Sequence, residues 1–235
     1  MRICDHYAPL IAQAMRSLYP RDALIIAAQA QTLDLLPTPN TAPLRAVLER
    51  LWADSWATGR HGAELQVAKA SVRKDKGGSG TSPTVDVITN WSSWEPGNIS
   101  AAILASDGGF AAALDRADIT LEGITSTGID RMGTILSEGL LNGDSPDAIA
   151  RGLMEVLDDP DRAELISATE SARFQTEATF ASYTDMSVTR WDWLTTDGAC
   201  PTCVDIEARN PHDMGEQGPP AHPRCRCAAS PVVDI

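Results

Sequence analysis

Apolar positions recur at helical spacing along most of this chain. Tyr7, Leu10, Ile11, Ala14, Met15 and Leu18 share one helix face, and Pro20 is suited to begin a second helix running through Leu36. Pro37-Thr-Pro-Asn-Thr-Ala-Pro43 is a connector, after which Leu44, Val47, Leu48, Leu51, Trp52 and Trp56 mark a third helix expected to reach Val72. Helices resume at Ser100 and run with breaks to about Asn142, on a face carrying Ile129, Met132, Ile135, Leu136 and Leu140. Ser145-Pro146-Asp147 and Asp159-Pro160-Asp161 each supply an N-cap, a proline at the first helical position and an acidic residue in the first turn. Two helices therefore begin at 146 and 160, the second ending near Tyr183. Beyond residue 184 the helical spacing stops, and Val188-Thr-Arg-Trp191-Asp-Trp193-Leu-Thr alternates as a short strand does. The expected fold is mainly α: a helical body with a small C-terminal module of loops and short strand, stapled by Cys and His residues.

Local composition suggests where this body divides. Arg73-Lys-Asp-Lys-Gly-Gly-Ser-Gly-Thr-Ser-Pro83 offers nothing to bury and reads as a flexible link. The expected organisation is an N-terminal helical region at 1–72, a linker at 73–83, a helical body at 84–184 and a Cys/His module at 185–235. Trp91 and Trp94, three apart beside a turn, read as aromatic anchors in a loop rather than a ligand platform. Glu170 and Arg173, also three apart, read as a solvated ion pair across one helical turn.

Length and charge narrow the function classes. A chain of 235 residues, 43% hydrophobic, can bury a proper core as one large domain or two smaller ones. No apolar run reaches the length of a membrane span, and Met1-Arg-Ile-Cys-Asp5 lacks the features of a secretory signal, so synthesis in the cytoplasm is expected and no membrane partner. With 19 basic against 32 acidic residues the formal charge is −13, which disfavours bulk binding to DNA and suits docking onto a basic protein surface.

The chemistry gathers near the C-terminus. Cys200-Pro-Thr-Cys203 and His222-Pro-Arg-Cys225-Arg-Cys227 bring together four of the five cysteines and one of the four histidines. A CxxC turn sets two sulfurs close enough to share one ion, and His222 with Cys225 or Cys227 can complete a tetrahedral set. Five candidates thus compete for four places. In an extended Cys-x-Cys the two sulfurs point to opposite sides, which would leave only one of Cys225 and Cys227 facing the metal. Zinc, disulfides between the two cysteine pairs, and buried free thiols all remain open; cytoplasmic synthesis favours reduced thiols at first folding. A catalytic ion needs an open coordination position and a nearby base, and nothing in 204–221 suits that task. His212 and Asp213 read as solvated loop residues, and the absence of adjacent histidines argues against a ββα nuclease motif.

Thr169-Glu170-Ser-Ala-Arg173 on a helix, then Trp193-Leu-Thr-Thr-Asp197-Gly-Ala-Cys200-Pro-Thr-Cys203, then Pro220-Ala-His222-Pro223-Arg-Cys225-Arg-Cys227, resemble the phage minor head protein family, the Mu F-like or head morphogenesis proteins. The resemblance spans roughly residues 84–233 and includes Trp94-Glu-Pro-Gly97, similar to forms from phages of actinobacteria; His-Pro-x-Cys-Arg-Cys is its most specific part. It implies a low-copy virion component inside the capsid near the portal vertex, partnered by the portal protein and other head proteins. The implied role is head assembly, genome packaging or ejection. It further implies that Thr169, Glu170, Arg173 and Trp193 are structural, tying the helical body to the terminal module. Some relatives contact DNA, and some carry appended toxin or enzyme domains; none is expected after Cys227 here. The competing expectations are a metal-dependent hydrolase or nuclease acting during infection, and a cellular zinc-stapled adaptor. An amphipathic helix, Tyr7–Leu18 or Leu44–Trp56, could lie in a groove of the portal ring or pack into the protein's own core.

Overall fold

Polar residues at the helix starts and apolar stripes along them set the observed elements. The computed structural model describes residues 3–74, 107–115 and 117–233. In chain order these form α1 (Ile3–Arg16), α2 (Arg21–Ala30), α3 (Ala42–Lys74), α4 (Gly108–Asp115), α5 (Ala117–Asn142), α6 (Pro146–Leu157) and α7 (Pro160–Asp185). There follow β1 (Arg190–Leu194), α8 (Pro201–Glu207), β2 (His212–Asp213) and β3 (Ala228–Val232). The protein is mainly helical, with a small antiparallel sheet of order β2-β1-β3 beside its C-terminal Cys/His cluster.

The two capping signals act as their chemistry requires. Ser145 Oγ accepts the Ala148 N–H at 3.3 Å at the head of α6, and Asp159 Oδ1 accepts the Arg162 N–H at 3.0 Å at the head of α7. The second helix ends earlier than Leu36. Gln31 turns left-handed at φ 59°, and the Gln31 and Thr32 amides fold back onto the Ala28 and Ala27 carbonyls at 3.3 and 3.1 Å. This closing pair satisfies the last carbonyls of α2 without the glycine that usually advertises such an end. The greater part of the expected link at 73–83, the tryptophans Trp91 and Trp94, the Trp94–Gly97 element and the expected helix start at Ser100 lie outside the described residues.

The chain forms two compact units, each assembled from separate segments. The first comprises Met1–Glu49 and Leu114–Ser167, the second Arg50–Ala113 and Ala168–Ile235. In the first unit α6 packs against α1, α2 and α5. Tyr7, Ile11, Met15 and Leu18 point inward, as do Leu24, Met132 and Leu153, so the apolar face of α1 is spent on its own core. The buried Arg162 guanidinium donates to the Ile124 carbonyl, and Arg131 pairs with Asp159 at 2.9 Å.

In the second unit α3 and α7 lie in close contact. A Cβ built on Gly59 would stand 2.3 Å from the Gln175 carbonyl oxygen, so only glycine fits there. Trp52 stacks on Phe174 with centroids 5.1 Å apart, and Trp56 and Phe110 extend this aromatic layer. Leu51, Trp52 and Trp56 are buried here, and Leu44 and Leu48, which fall in the first unit, are buried as well, so this stripe too is core. A second cluster joins Ala63 and Tyr183 to Val188, Trp191, Trp193, Cys203, Cys225 and Ala229. Alternation along β1 turns both tryptophans inward, which places the strand directly beneath the cysteines.

Candidate metal centre

Strand β1 is the base on which the centre is built. Its Trp191 indole N–H donates to the Asp213 carbonyl at 3.0 Å, and its Trp193 main chain is clasped by the Asn210 side chain, which accepts the Trp193 N–H at 2.7 Å and donates to its carbonyl at 2.9 Å. Just past the strand, the Thr195 amide and hydroxyl donate to the two Glu207 carboxylate oxygens at 3.0 and 2.6 Å. Glu207 ends α8 and Asn210 follows it, so these side chains anchor the short helix to the strand. Where the sequence suggested only a turn at Cys200-Pro-Thr-Cys203, Pro201 starts a helix with Cys200 in its N-cap position.

That local geometry converges the donors. His222 Nε2 lies 3.2 Å from Cys200 Sγ and 3.3 Å from Cys203 Sγ, and Cys203 Sγ lies 3.8 Å from Cys225 Sγ. For Zn–S of about 2.3 Å and Zn–N of about 2.0–2.1 Å, tetrahedral edges are about 3.8 Å between sulfurs and about 3.6 Å between sulfur and nitrogen. The observed separations are close to these edges. Two triads, Cys200-Cys203-His222 and Cys203-Cys225-Cys227, hold their donor atoms within 4.8 Å of one another and share Cys203. None of the five cysteines is in a disulfide.

One expectation about these sulfurs is corrected. Cys225 and Cys227 do not face opposite ways: both sulfurs approach Cys203. The reason is that β3 begins only at Ala228, while Arg224 is left-handed at φ 60° and the Cys225 amide closes a turn onto the His222 carbonyl at 3.1 Å. The alternation of a pleated strand therefore does not apply to this pair.

The protonation chemistry suits a cation. His222 Nδ1 lies 2.8 Å from the Pro223 carbonyl, so Nδ1 carries the proton and donates, leaving the Nε2 lone pair for the two sulfurs. That carbonyl is also the chief reason the His222 pKa is raised. The Cys203 backbone N–H, first among several partners, draws the Cys200 thiol below its ordinary range. Burial pushes Cys225 up, yet the Cys227 and Ala221 amides and neighbouring thiols outweigh it and draw its pKa down. Burial, reinforced by neighbouring thiols, drives Cys203 well up. Burial likewise raises Cys227, opposed by the Trp193 indole N–H. An ion would offset the burial and the neighbouring thiols that keep Cys203 protonated.

The Glu170–Arg173 pair forms, with Nη2 and Oε2 2.6 Å apart, but it is not the solvated pair expected. The Trp52 indole N–H donates to the same Glu170 oxygen at 3.0 Å, and the carboxylate is buried; burial raises its pKa despite Arg173. Arg173 also lies over the Phe174 ring at 5.0 Å. Among the described residues the hydrogen bonds of Glu170 and Arg173 join α7 to α3, whereas Phe180 and Tyr183 farther along α7 supply the packing against the module, Phe180 meeting Trp191 at 5.0 Å. Thr169 Oγ1 is buried with no hydrogen-bond partner among the described residues.

His212 is likewise no solvated loop residue. It is buried on β2, stacked on Trp191 at 4.8 Å, with Nδ1 3.1 Å from Glu216 and Nε2 3.1 Å from the Ile206 carbonyl. Asp213, by contrast, is exposed. Sequence reading missed Trp52, Glu207, Asn210 and His212 as supports; the last three lie between the ligand motifs, and that enclosed position is the signal that marks them.

Fold and site thus define a mainly helical protein bearing a Cys/His cluster at metal-binding separations. No family model matches the chain, and neither a curated protein nor a solved structure matches it significantly.

Proposed function

We propose that this chain is a noncatalytic minor capsid protein of a tailed phage, of the Mu F-like head morphogenesis type, with a closed structural zinc site at its Cys/His cluster. It works inside the virion near the portal vertex, bound to the portal and other head proteins, in head assembly or in genome packaging and ejection. The observation that carries this reading is the convergence of the motif: the Thr169-Glu170-x-x-Arg173 segment of α7 and the module from Trp193 to Cys227 belong to one compact unit, and the two CxxC sulfurs, His222 and the Cys-x-Cys pair meet there. Thiolates and imidazole select zinc among common divalent ions by softness and tetrahedral preference. Among the described residues the converging groups contain no carboxylate, and the five donors suffice to close the ion's coordination, which favours a staple over a catalytic centre. The formal charge of −13 suits a protein partner better than the phosphates of DNA.

The test is mass spectrometry of purified phage particles, joined to native mass spectrometry of the isolated protein with thiol alkylation before and after reduction. Detection in particles, with one zinc per chain and thiols that alkylate without reduction once the protein is denatured, is the expected result. Absence from particles would sink the head-protein reading and favour a cellular zinc adaptor. Thiols that alkylate only after reduction would replace zinc by disulfides. A bound ion with an exchangeable water would revive the metal-dependent hydrolase.

A further inference from the structure

The cluster presents five donors, and a tetrahedral ion takes four. Building on the zinc reading above, we infer that the ligands are Cys200, Cys203, His222 and Cys225, and that Cys227 is a non-ligating sulfur positioned between the Trp193 indole N–H and Cys203.

Three features separate Cys225 from Cys227. First, the ligand set resolves into two pairs spaced three apart, each on its own turn. Cys200 and Cys203 sit at the head of α8, and His222 and Cys225 are locked together by the Cys225 amide bonding to the His222 carbonyl at 3.1 Å. His222 Nε2 already touches both sulfurs of the first pair, and the Cys225 sulfur stands 3.8 Å from Cys203, a tetrahedral edge; Cys203 is the donor through which Cys225 joins the other two, and closing the set on one ion draws Cys225 toward them. Cys227 lies outside that turn, immediately before β3.

Second, burial raises the Cys225 pKa but the main-chain amides of Cys227 and Ala221 help draw it down, as outer partners do for a ligating thiolate. For Cys227 burial prevails and raises the pKa, and the groups that oppose it are side chains, the Trp193 indole and Cys203. Third, Trp193 Nε1 is a buried donor with no ordinary hydrogen-bond partner among the described residues, on a ring only 1% exposed. A buried N–H of this kind needs an acceptor, and the large, polarizable sulfur of Cys227 is what it meets. Cys227 thus caps the centre from the strand side, its own backbone entering the register in which Ala229 pairs with Trp193. Cys227 is half-buried, as Cys200 is, whereas Cys203 and Cys225 are buried.

The deciding experiment is alkylation of the zinc-loaded full chain under native conditions, with labelled sites mapped by peptide mass spectrometry and zinc content followed by native mass spectrometry. Cys227 is expected to take up label while one zinc remains bound, and Cys200, Cys203 and Cys225 to be labelled only as zinc leaves. The Cys227→Ser protein is expected to keep one zinc and an unchanged thiolate-to-metal spectrum when cobalt(II) replaces it. The Cys225→Ser protein is expected to lose at least tenfold in zinc affinity. The Trp193 indole N–H resonance, assigned by its loss in Trp193→Phe, should shift in Cys227→Ser. The assignment is overturned if Cys227 is as protected as the other three, or if Cys227→Ser alters the cobalt spectrum while Cys225→Ser does not. Either result leaves zinc binding itself intact. A wild-type protein that binds neither zinc nor cobalt overturns the zinc reading and the assignment with it. The labelling needs no variant, so a substitution that prevents folding does not obscure the outcome.

Discussion

Replacing Glu170 tests whether a buried polar knot, and not a surface ion pair, joins α3 to α7. Two donors converge on its Oε2, the Trp52 indole N–H at 3.0 Å and Arg173 Nη2 at 2.6 Å. In Glu170→Ala the Trp52 N–H, on a fully buried ring, loses its acceptor, which costs about 1–3 kcal/mol. The lost side chain adds about 1 kcal/mol of packing. Arg173, with 26% of its side chain exposed, recovers some hydration and adds little. The sum is about 2–4 kcal/mol, or roughly 4–16 °C in melting temperature for a chain of this size. Glu170→Gln keeps an acceptor for Trp52 and removes a charge that burial penalises, so its cost is about 1 kcal/mol or less. A solvated pair would give only a few tenths for either change. The pH dependence follows from the raised pKa of Glu170, whose first cause is burial, opposed by Arg173 and Trp52. Its stabilising contribution is fully present below the unfolded value near 4.5 and is lost as pH rises through the higher folded pKa. Glutamine does not titrate, so the advantage of wild type over Glu170→Gln shrinks as pH rises through that window. Urea unfolding followed by circular dichroism at several pH values measures all of this. Equal stability of wild type and Glu170→Ala would refute the reasoning, and a glutamine variant as damaged as the alanine would show that the charge, not the acceptor, matters.

Other outcomes are equally open to measurement. Free zinc at roughly a thousandfold over its Kd should raise stability by about 4 kcal/mol, and a chelator should remove that gain; identical calorimetric melting with and without chelator would contradict a structural site. Cys200→Ser and His222→Ala should each abolish most of the same increment, and unchanged melting in both would sink the closed centre. Gly59→Ala gains helix propensity of about 1 kcal/mol but forces a Cβ to 2.3 Å from the Gln175 carbonyl, so a net loss of about 1–3 kcal/mol is expected in thermal unfolding; a more stable variant would overturn the close helix contact. Asp159 behaves oppositely to Glu170: burial raises its pKa, but the Arg162 amide and Arg131 prevail and lower it from 3.8, so its contribution is present above that value and lost as pH falls through the folded pKa. Asp159→Asn should therefore flatten the acid limb of the stability curve, which a titration of unfolding midpoints would reveal.

Much of the fold was legible because it depends on neighbours in sequence. The stripe through Tyr7 and Met15, the stripe through Leu44 and Trp56, and the Ser145 and Asp159 caps all specify helices by spacing and local hydrogen bonding, and α1, α3, α6 and α7 appear where those signals stand. The end of α2 was not legible, since Gln31 adopts a left-handed turn that its side chain does not announce. The alternation at Trp191 and Trp193 likewise marked β1, but its partners β2 and β3 are too short, or too small in side chain, to signal themselves.

The candidate centre shows the same limit at higher resolution. Spacing alone brought Cys200 near Cys203 and His222 near Cys225, because three residues on a turn cannot stray far. Which donors meet across the intervening loop was decided by the anchoring of α8 through Glu207 and Asn210, and by the left-handed Arg224 that turns Cys225 and Cys227 toward one sulfur. Burial was decided in the same way. Glu170 and His212 carry polar side chains that propensity assigns to solvent, yet Trp52 covers one and Trp191 the other. Local sequence therefore determined the helices, their caps and the inventory of ligands, for these depend on interactions within a few residues. The environment of each polar group was settled only by tertiary packing, because it depends on which distant aromatic side chain arrives to exclude water and which donor it brings.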